Sequence, residues 1–417
     1  MERYVEPSLL EGKVKAPASK SMTQRAIAAA ILSNGESIIH NPSYCDDSLA
    51  AMSIAIGLGA RVEPQAHELK IVGTGILKEP KLNCGESGLA IRMFSPIAAL
   101  YPVEIVMSGA NSLKKRPMIM IEEALNQLGV NCTSTGGFLP LTIKGPIVGG
   151  KCEIDGSVSS QLLTGLLMAL PLAEKDSEIK VNNLKSKPYI DMTIQILKSF
   201  GITVGNLEYN LFRISGNQKY IPNNYTIEGD WSGGAFLLVA GAINGNLTVE
   251  GLRIDSKQSD RAVIEALKSA GAQMKISESV IEISKSTLKA FNFDATESPD
   301  LFPPLVALAS YCQGISTIKG VSRLIHKESN RALALKEEFG KMNIMIEVKD
   351  DVMSVTGGIP TGARTDSHED HRIAMAVAVA GLAATGNVYI HDSQCIAKSY
   401  PGFFDDIRHL GAIVHEK

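Results

Sequence analysis

Cationic side chains stand beside small polar residues where apolar stretches begin in this 417-residue chain. Lys20 and Ser21 open one such stretch, and Arg25 follows about one helical turn later. A helix N-terminus has unsatisfied backbone N–H groups and about half a positive charge, so it attracts anions. Lys20 and Arg25 could therefore converge on a phosphate or a carboxylate at this helix start. From these residues alone, a serine helix cap with two solvated cations is the alternative.

A second polar helix start consists of Ser159, Ser160 and Gln161. The rest of that predicted helix is nearly all apolar, as is typical of a helix in the middle of a domain. We therefore expect the three polar side chains to face an opening. A plain helix cap is the alternative.

Four loops, residues 114–117, 327–331, 370–372 and 397–401, add further cations. A run of charge is usually a solvated surface, but these loops recur at matching positions of a repeat, which argues against that interpretation. Asp300 and Glu328 are acids placed among the cations, so they are candidates for proton transfer. Simple ion pairing is the alternative.

His371 is the residue of these loops that could suggest a metal site. The cysteines show neither a CxxC pair nor zinc-ligand spacing, so we predict no metal. The chain also lacks the glycine-rich fingerprints of nucleotide-binding loops.

The elements that must position these side chains recur six times. Polar helix starts lie 67 to 72 residues apart, at Ser21, Gly88, Ser160, Ser232, Asp300 and Asp370. Glycine-type helix stops lie 68 to 72 residues apart, at Gly59, Gly129, Gly201, Gly271, Asn343 and Gly411. Two independent series with one period indicate a sixfold repeat.

Each repeat is predicted to contain two helices and short alternating strands. The first helices are apolar on nearly all sides, so they should be buried; they are predicted at 26–32, 89–100, 162–172, 235–243, 301–311 and 373–382. The second helices are amphipathic and are predicted at 47–58, 118–128, 189–200, 260–270, 329–342 and 402–410. The pattern favours an α/β (α+β) fold of two domains with three repeats each, divided near residues 223–228.

Composition narrows the class of protein. The net charge of −3 gives no global basic field for nucleic acid. Six cysteines without a CxxC pair are typical of free, mostly buried thiols in a reducing cytosol. The charged N-terminal residues read as a strand rather than a signal peptide, and no apolar run reaches membrane-spanning length. We therefore expect a cytoplasmic protein that contacts neither nucleic acid nor membrane.

Together these residues resemble the 5-enolpyruvylshikimate-3-phosphate (EPSP) synthase family of enolpyruvyl transferases. The matching motifs are Pro17-Ala18-Ser19-Lys20-Ser21 with Arg25, Lys115-Arg116-Pro117, Gly156-Ser157-Val158-Ser159-Ser160-Gln161, Ser186-Lys187-Pro188-Tyr189-Ile190-Asp191, Lys327-Glu328 with Arg331, Asp370-His371-Arg372 and Lys398-Ser399-Tyr400-Pro401. The resemblance implies an inside-out α/β barrel fold, with buried parallel helices inside a shell of sheets. It implies a discontinuous first domain, 1–14 with 228–417, a second domain, 15–227, and an active site in the cleft between them.

The resemblance also implies a reaction without metal or organic cofactor. The enolpyruvyl group of phosphoenolpyruvate would pass to the 5-hydroxyl of shikimate 3-phosphate through a tetrahedral intermediate, and phosphate would be released. By motif position, the catalytic residues would be Asp300, Glu328 and Lys20. Shikimate 3-phosphate would contact Lys20, Ser21, Arg25, Ser159, Ser160, Gln161, Ser186, Tyr189, Asp300, Arg323 and Lys327. Phosphoenolpyruvate would contact Lys20, Gly88, Arg116, Gln161, Arg331, Arg372 and Lys398. We expect a monomer with these two small-molecule substrates.

Two departures and two rival functions accompany the resemblance. Glu86, Leu89 and Met93 stand where the family commonly has Asn, Thr and Pro, and Arg323 stands where Asn is common.

One rival is the sister enzyme UDP-N-acetylglucosamine enolpyruvyl transferase, which usually has a Cys in a mobile loop of its first half. Residues 106–117 contain no Cys. The other rival is a non-catalytic anion-binding scaffold, for which loss of Lys20, Asp300 or Glu328 would be expected.

Overall fold

The computed structural model describes residues 1–157, 159–325 and 327–417, and Val158 of the serine-rich motif lies outside them. The chain divides into two compact units of similar size. Unit 1 consists of Met1–Pro17 and Glu228–Lys417, and unit 2 consists of Ala18–Ile227. Residues 15–17, which the sequence interpretation assigned to the second domain, belong to unit 1, because the strand that ends at Lys15 pairs there.

The described residues form twelve α-helices. They are α1 (Lys20–Leu32), α2 (Asp46–Gly57), α3 (Gly88–Ala98), α4 (Ile119–Gln127), α5 (Gln161–Ala169), α6 (Lys187–Ser199), α7 (Trp231–Asn244), α8 (Val263–Ser269), α9 (Phe302–Ser310), α10 (Arg331–Lys341), α11 (His371–Gly381) and α12 (Phe403–His409). Short 3₁₀ helices, Asn111–Lys115, Leu170–Leu172, Ser259–Ala262, Pro299–Leu301, Val321–Leu324 and Ser393–Lys398, lie between them.

The strands are short, and the described residues contain 24 of them. They are β1 (Arg3–Glu6), β2 (Leu10–Lys15), β3 (Gly35–His40), β4 (Arg61–Pro64), β5 (Glu68–Gly73), β6 (Lys81–Asn83), β7 (Glu104–Ser108), β8 (Asn131–Thr135), β9 (Phe138–Lys144), β10 (Gly150–Asp155), β11 (Ser177–Asn182), β12 (Gly205–Leu207), β13 (Leu211–Ile214), β14 (Asn224–Thr226), β15 (Gly245–Glu250), β16 (Gln273–Ile276), β17 (Val280–Ser284), β18 (Asn292–Asp294), β19 (Ile315–Lys319), β20 (Ile346–Lys349), β21 (Val352–Thr356), β22 (Ala363–Asp366), β23 (Val388–His391) and β24 (Ile413–Glu416).

The strands form six four-stranded sheets with one plan. In β6-β7-β9-β8, for example, β6 is parallel to β7, and the hairpin of β8 and β9 completes the sheet antiparallel. The same order of one parallel and two antiparallel pairings appears in β10-β11-β13-β12, β14-β3-β5-β4, β2-β15-β17-β16, β18-β19-β21-β20 and β22-β23-β1-β24. The sixfold repeat predicted from the spacing of helix starts and stops is therefore confirmed.

Two sheets take a strand from a distant part of the chain. In unit 2, β14 lies at the end of the unit but pairs with β3 near its beginning. In unit 1, β1 lies between β23 and β24, and β2 pairs with β15. Each unit is thus closed by a strand remote in sequence.

The first helix of each repeat is buried, as its composition predicts. In unit 2, α3 packs against α1 and α5, and all three are buried along most of their length. In unit 1, α7, α9 and α11 form the corresponding group. The predicted first helix, 26–32, is too short, because α1 begins at Lys20 and its polar first turn is itself helical.

The second helices begin and end within a few residues of their predicted bounds and stop as expected. All six predicted stops, Gly59, Gly129, Gly201, Gly271, Asn343 and Gly411, have positive φ. A residue in this left-handed conformation ends a helix, and glycine reaches it without a steric penalty. The six cysteines are free and buried, also as predicted. Among the described residues, no helix combines the length and hydrophobicity that crossing a bilayer requires.

Candidate active site

The start of α1 carries Lys20 with a carboxylate partner that sequence reasoning missed. Lys20 Nζ lies 2.8 Å from Asp47 Oδ2, and both side chains are only 13% exposed. Asp47 comes from the first turn of α2, 27 residues further along the chain. The Asp46-Asp47 pair reads in sequence as an ordinary acidic helix start. Only the packing of α1 against α2 gives Asp47 a partner.

Arg25, one turn into α1, is buried among neutral groups. Its guanidinium donates to Thr193 Oγ1 at 2.9 Å, to Ser21 O at 2.9 Å and to Thr164 Oγ1 at 3.3 Å. Within the part of the chain that the structure describes, Arg25 has no carboxylate partner. Burial lowers the pKa of Arg25 to about 10, which leaves it charged at neutral pH. A buried cation held only by neutral groups is suited to an anionic ligand.

The serine-rich segments converge on Arg25. Ser160 directly precedes α5, and its carbonyl accepts from Thr164 Oγ1 at 3.3 Å. Ser186 is buried and left-handed (φ 58°) where α6 begins. Tyr189 follows in the first turn of α6, with its ring centroid 5.9 Å from the Arg25 guanidinium carbon. The structure therefore brings residues from α1, α5 and α6 of unit 2 together.

A second cluster of unit 2 forms at the start of α3. A Cβ atom at Gly88 would lie 2.6 Å from Arg116 Nη1 and 3.6 Å from Gln161 Oε1. These three predicted contacts of phosphoenolpyruvate are therefore neighbours, and a side chain at Gly88 would displace Arg116. Ser159, also predicted, contributes by accepting from Gln161 N at 3.1 Å.

Arg92 braces this second cluster and was not among the predicted site residues. Its Nη1 donates to Gly88 O and to Gln161 Oε1, each at 3.2 Å, and its Nη2 donates to Pro117 O at 3.4 Å. Its position one turn after Gly88 is the sequence signal that could have identified it, since residues i and i+4 share a helix face.

In unit 1, a single buried guanidinium gathers three acids. Arg331 is 1% exposed and contacts Asp300 Oδ1 at 2.6 Å, Glu328 Oε2 at 2.5 Å and Asp370 Oδ2 at 2.7 Å. Burial opposes its charge, but Asp370, Glu328 and Asp300 together raise the pKa of Arg331 above its ordinary value. Asp370 also caps α11 by accepting from Arg372 N at 3.0 Å.

Asp300 contacts three cations of this cluster. Besides Arg331, it contacts Lys327 Nζ at 3.2 Å and Arg372 Nη2 at 3.4 Å. Burial acts to raise its pKa, but Arg372, Lys327 and Arg331 hold the pKa of Asp300 well below its ordinary value. Asp300 is therefore ionised at neutral pH.

The remaining predicted residues of unit 1 lie around this group. Lys398 Nζ donates to Glu369 O at 2.8 Å, in the loop before α11. Arg323 lies in the 3₁₀ helix Val321–Leu324, and its charge acts on Lys327. Burial lowers the pKa of Lys327, against the opposing effect of Asp300.

Asp260 is a buried acid of unit 1 that the sequence interpretation took only as a helix start. It accepts from Ser232 Oγ and from Ser259 Oγ, the latter at 3.2 Å. Burial and then the charge of Asp300 raise the pKa of Asp260 to about 6, against the effect of Arg372. Two acids of one unit thus have pKa values displaced in opposite directions, which is common where proton transfer occurs.

One group of described residues, Glu337, Glu338 and His368, has its ligand atoms close enough together for a metal ion. Lys341 Nζ lies 2.8 and 2.9 Å from the two oxygens of Glu338 and 3.2 Å from Glu337 Oε1. The ammonium group neutralises the acids that a metal would need, so the group is best described as an ion-pair network.

Comparison with known proteins gives one answer. A sequence model of the EPSP synthase (3-phosphoshikimate 1-carboxyvinyltransferase) family matches residues 5–407. The 3-phosphoshikimate 1-carboxyvinyltransferase of Clostridium kluyveri is 38% identical over 416 residues, which cover 99% of this chain and 98% of the relative. The enzyme of that name from Methanosarcina mazei is 38% identical over 429 residues, covering 100% and 99%.

Solved structures agree with the sequence relatives. EPSP synthase from Acinetobacter baumannii superimposes with a TM-score of 0.84 at 28% identity, and each chain is covered completely. The enolpyruvyl transferase NikO from Streptomyces tendae has a TM-score of 0.82 at 17% identity, covering 100% of this chain and 98% of its own. At that identity, the second likeness concerns the fold alone.

Proposed function

Because the chain belongs to the EPSP synthase (3-phosphoshikimate 1-carboxyvinyltransferase) family, we propose that its buried cations hold the two anionic substrates of enolpyruvyl transfer. The reaction moves the enolpyruvyl group of phosphoenolpyruvate to the 5-hydroxyl of shikimate 3-phosphate and releases phosphate. The observation that carries the residue-level proposal is the joint placement of Glu328 and Asp300 on the Arg331 guanidinium. An acid and a base beside buried cations are what proton transfer between anionic substrates requires.

In unit 2, Arg25 is the proposed anchor of shikimate 3-phosphate. Its guanidinium is charged, buried and held by hydroxyl and carbonyl groups, so an anionic group of the ligand would be its strongest partner. The other proposed contacts of this substrate surround it or lie on the same helix starts: Lys20, Ser21, Ser159, Ser160, Gln161, Ser186 and Tyr189.

The α3 cluster of unit 2 is the proposed contact for phosphoenolpyruvate. Arg116 and Gln161 lie against Gly88, whose missing side chain leaves the start of α3 open. Backbone N–H groups there and the Arg116 guanidinium would bind an anionic group. Lys20 is proposed to touch both substrates.

In unit 1, the proposed contacts of shikimate 3-phosphate are Asp300, Arg323 and Lys327. Those of phosphoenolpyruvate are Arg331, Arg372 and Lys398. Four of these cations, Lys327, Arg331, Arg372 and Lys398, contact acids or carbonyls of unit 1. Bound substrate would compete for them with those groups.

This competition gives Asp300 its proposed role as a base. Three cations depress its pKa, so in the free protein it is a weak proton acceptor. When substrate phosphate and carboxylate groups attract Lys327, Arg331 or Arg372, their hold on Asp300 weakens and its proton affinity rises. Asp300 would then accept the proton of the 5-hydroxyl as that oxygen forms its bond to the central carbon of phosphoenolpyruvate.

Glu328 is the proposed acid. It would protonate the methylene carbon of phosphoenolpyruvate, which gives a tetrahedral intermediate with a methyl group. The methyl group would then return a proton to Glu328 as the carbon–oxygen bond to phosphate breaks, and the proton held by Asp300 would pass to the departing phosphate. Lys20 is a further candidate for proton transfer, through its contact with Asp47. Holding both substrates in a well-oriented geometry can lower the barrier of such reactions by about 7–11 kcal/mol.

The test is phosphate release from phosphoenolpyruvate with a single acceptor present. We expect release with shikimate 3-phosphate and none above background with UDP-N-acetylglucosamine. Release only with the second acceptor would establish the sister activity. Binding of shikimate 3-phosphate without release in either assay would identify an anion-binding scaffold.

We further propose a cytoplasmic monomer. Six free, buried cysteines support a reducing compartment. Sedimentation of the purified protein at several concentrations tests the monomer, and a mass that rises with concentration would contradict it.

A further inference from the structure

Glu86 joins two segments of unit 2 through its carboxylate. Glu86 Oε1 accepts from Asn111 Nδ2 at 3.1 Å. Glu86 Oε2 accepts from Ser112 Oγ at 2.9 Å and from Ser112 N at 3.3 Å. Asn111 and Ser112 begin the 3₁₀ helix Asn111–Lys115, so the carboxylate caps the start of that helix.

Backbone hydrogen bonds join the same two segments nearby. Cys84 N donates to Ser108 O at 2.9 Å, and Ala110 N donates to Gly85 O at 2.7 Å. Asn111 is left-handed, with φ 41°, which is an uncommon conformation for a residue with a side chain. The Glu86 carboxylate is therefore one of the contacts that hold the chain in this conformation.

Each joined segment leads to one half of the phosphoenolpyruvate cluster. Glu86 precedes Gly88 by two residues, and the 3₁₀ helix that it caps ends at Lys115, directly before Arg116. Arg116 Nη1 would lie 2.6 Å from a Cβ atom at Gly88. A small shift between the two segments would therefore change the distance between the Arg116 guanidinium and the backbone N–H groups at Gly88, which we propose bind the same anion.

We propose that Glu86 is a positioning residue for phosphoenolpyruvate, which fixes Arg116 relative to the backbone at Gly88. The inference rests on the proposed function and adds to it a residue that does not itself contact substrate. The Glu86 carboxylate accepts hydrogen bonds from the side chain of Asn111 and from the backbone and side chain of Ser112. These bonds explain why a carboxylate can lie close to a site proposed for an anion.

The experiment compares Glu86→Ala with Glu122→Ala. Glu122 is a matched control, because its Oε2 accepts from Ser134 N at 2.8 Å and also from Ser134 Oγ, at a different turn of unit 2. For Glu86→Ala we expect the KM for phosphoenolpyruvate to rise about 10- to 100-fold, the range for lost hydrogen bonds to a charged group. The KM for shikimate 3-phosphate should change less than about twofold. Glu86→Gln keeps one acceptor oxygen for Ser112 and replaces the other by an NH2 donor, which Asn111 can match by turning its amide, so it should recover part of the loss.

Hydrogen exchange of the substrate-free proteins provides a second readout. Glu86→Ala should accelerate exchange in residues 108–117, and Glu122→Ala should not. An unchanged KM for phosphoenolpyruvate, equal rises for both substrates, or the same KM rise in Glu122→Ala would overturn the proposal. A wild-type protein that does not turn over both substrates would overturn the proposed function. Glu86 would then lose its assignment to phosphoenolpyruvate. The hydrogen-exchange result would in that case show only that Glu86 couples the two segments.

Discussion

Arg25 of unit 2 and Arg331 of unit 1 are equally buried, at 1% exposure each, but they have opposite surroundings. Arg25 contacts two threonine hydroxyls and a carbonyl, whereas Arg331 contacts three carboxylates. The surroundings of Arg25 are suited to an anionic ligand, which we propose it binds, whereas the charge of Arg331 is neutralised by three acids of its own unit. The comparison thus separates a cation without a carboxylate partner among the described residues from a cation that holds acids, one of which, Asp300, has a lowered pKa. Four substitutions test this distinction.

Glu328→Gln should have the largest effect. The substitution keeps the size of the side chain but removes its exchangeable acid, so we expect turnover to fall about 10²- to 10⁴-fold. Binding of shikimate 3-phosphate, measured by calorimetry, should change much less. Glu337→Gln, at an exposed acid of α10, is the control for loss of charge. Turnover within a fewfold of wild type would show that Glu328 only pairs with Arg331.

Arg331→Met should have the second largest effect, on stability. Asp370 would remain buried, and Asp300 and Glu328 partly buried, without their shared cation, and breaking a buried ion pair typically costs about 3–5 kcal/mol. Urea unfolding measures this loss in free energy. The deficit should shrink in acid, where the carboxylates become protonated. A loss below about 1 kcal/mol would mean that Lys327 and Arg372 suffice to neutralise the acids.

Arg25→Met should have the opposite effect, with unchanged or higher stability and weaker substrate binding. Its threonine partners keep other bonds, because Thr164 donates to Ser160 O and Thr193 donates to Tyr189 O. Removing a buried charge without a carboxylate partner should therefore leave the free energy of unfolding unchanged or raise it. Affinity for shikimate 3-phosphate should fall about 10- to 100-fold, as for lost hydrogen bonds to a charged group. Large instability of the substrate-free variant would remove the contrast with Arg331.

Asp260→Asn should have the smallest effect, on the pH dependence of stability. The pKa of Asp260 is raised to about 6, so between its ordinary value and pH 6 the folded protein keeps a proton that the unfolded chain has lost. Asp260 therefore makes unfolding easier as pH rises through this window and adds no further change above it. Relative to wild type, Asp260→Asn should become more stable by on the order of 1 kcal/mol from pH 4 to 6.5. Parallel curves of unfolding free energy against pH would contradict the assignment.

The repeating helices and helix stops of this chain could be predicted from sequence. The side-chain contacts between separate helices could not. The apolar helices and the left-handed stops depend on neighbouring residues, so their spacing revealed the repeat. Asp47 was missed as a site residue because it acquires its partner only when separate helices pack. Arg92 and Asp260 each have one partner nearby in sequence, but their contacts with Gln161 and Ser232 join separate helices and could not be read from the sequence. Lys20 and Asp47, for example, are 27 residues apart and meet where α1 packs on α2.

The resemblance to a family supplied what spacing could not. It implied that Gly88, Arg116 and Gln161 contact one substrate, phosphoenolpyruvate, and these three residues are neighbours in the structure. It did not indicate that Glu86 bonds to Ser112, because the family commonly has Asn at that position. A departure from a family pattern can be interpreted only when the contacts of the new side chain are known.

The position of β1 in the last sheet of unit 1 has a consequence for synthesis on the ribosome. β1 leaves the ribosome before the other described strands, but its neighbours β23 and β24 leave after all the other described strands. Unit 2 is a continuous segment that includes its closing strand β14, so it can fold while unit 1 is still being translated. During that time, β1 and β2 remain unpaired on the nascent chain. Charged residues such as Arg3, Glu6 and Lys13 then oppose their pairing with other chains.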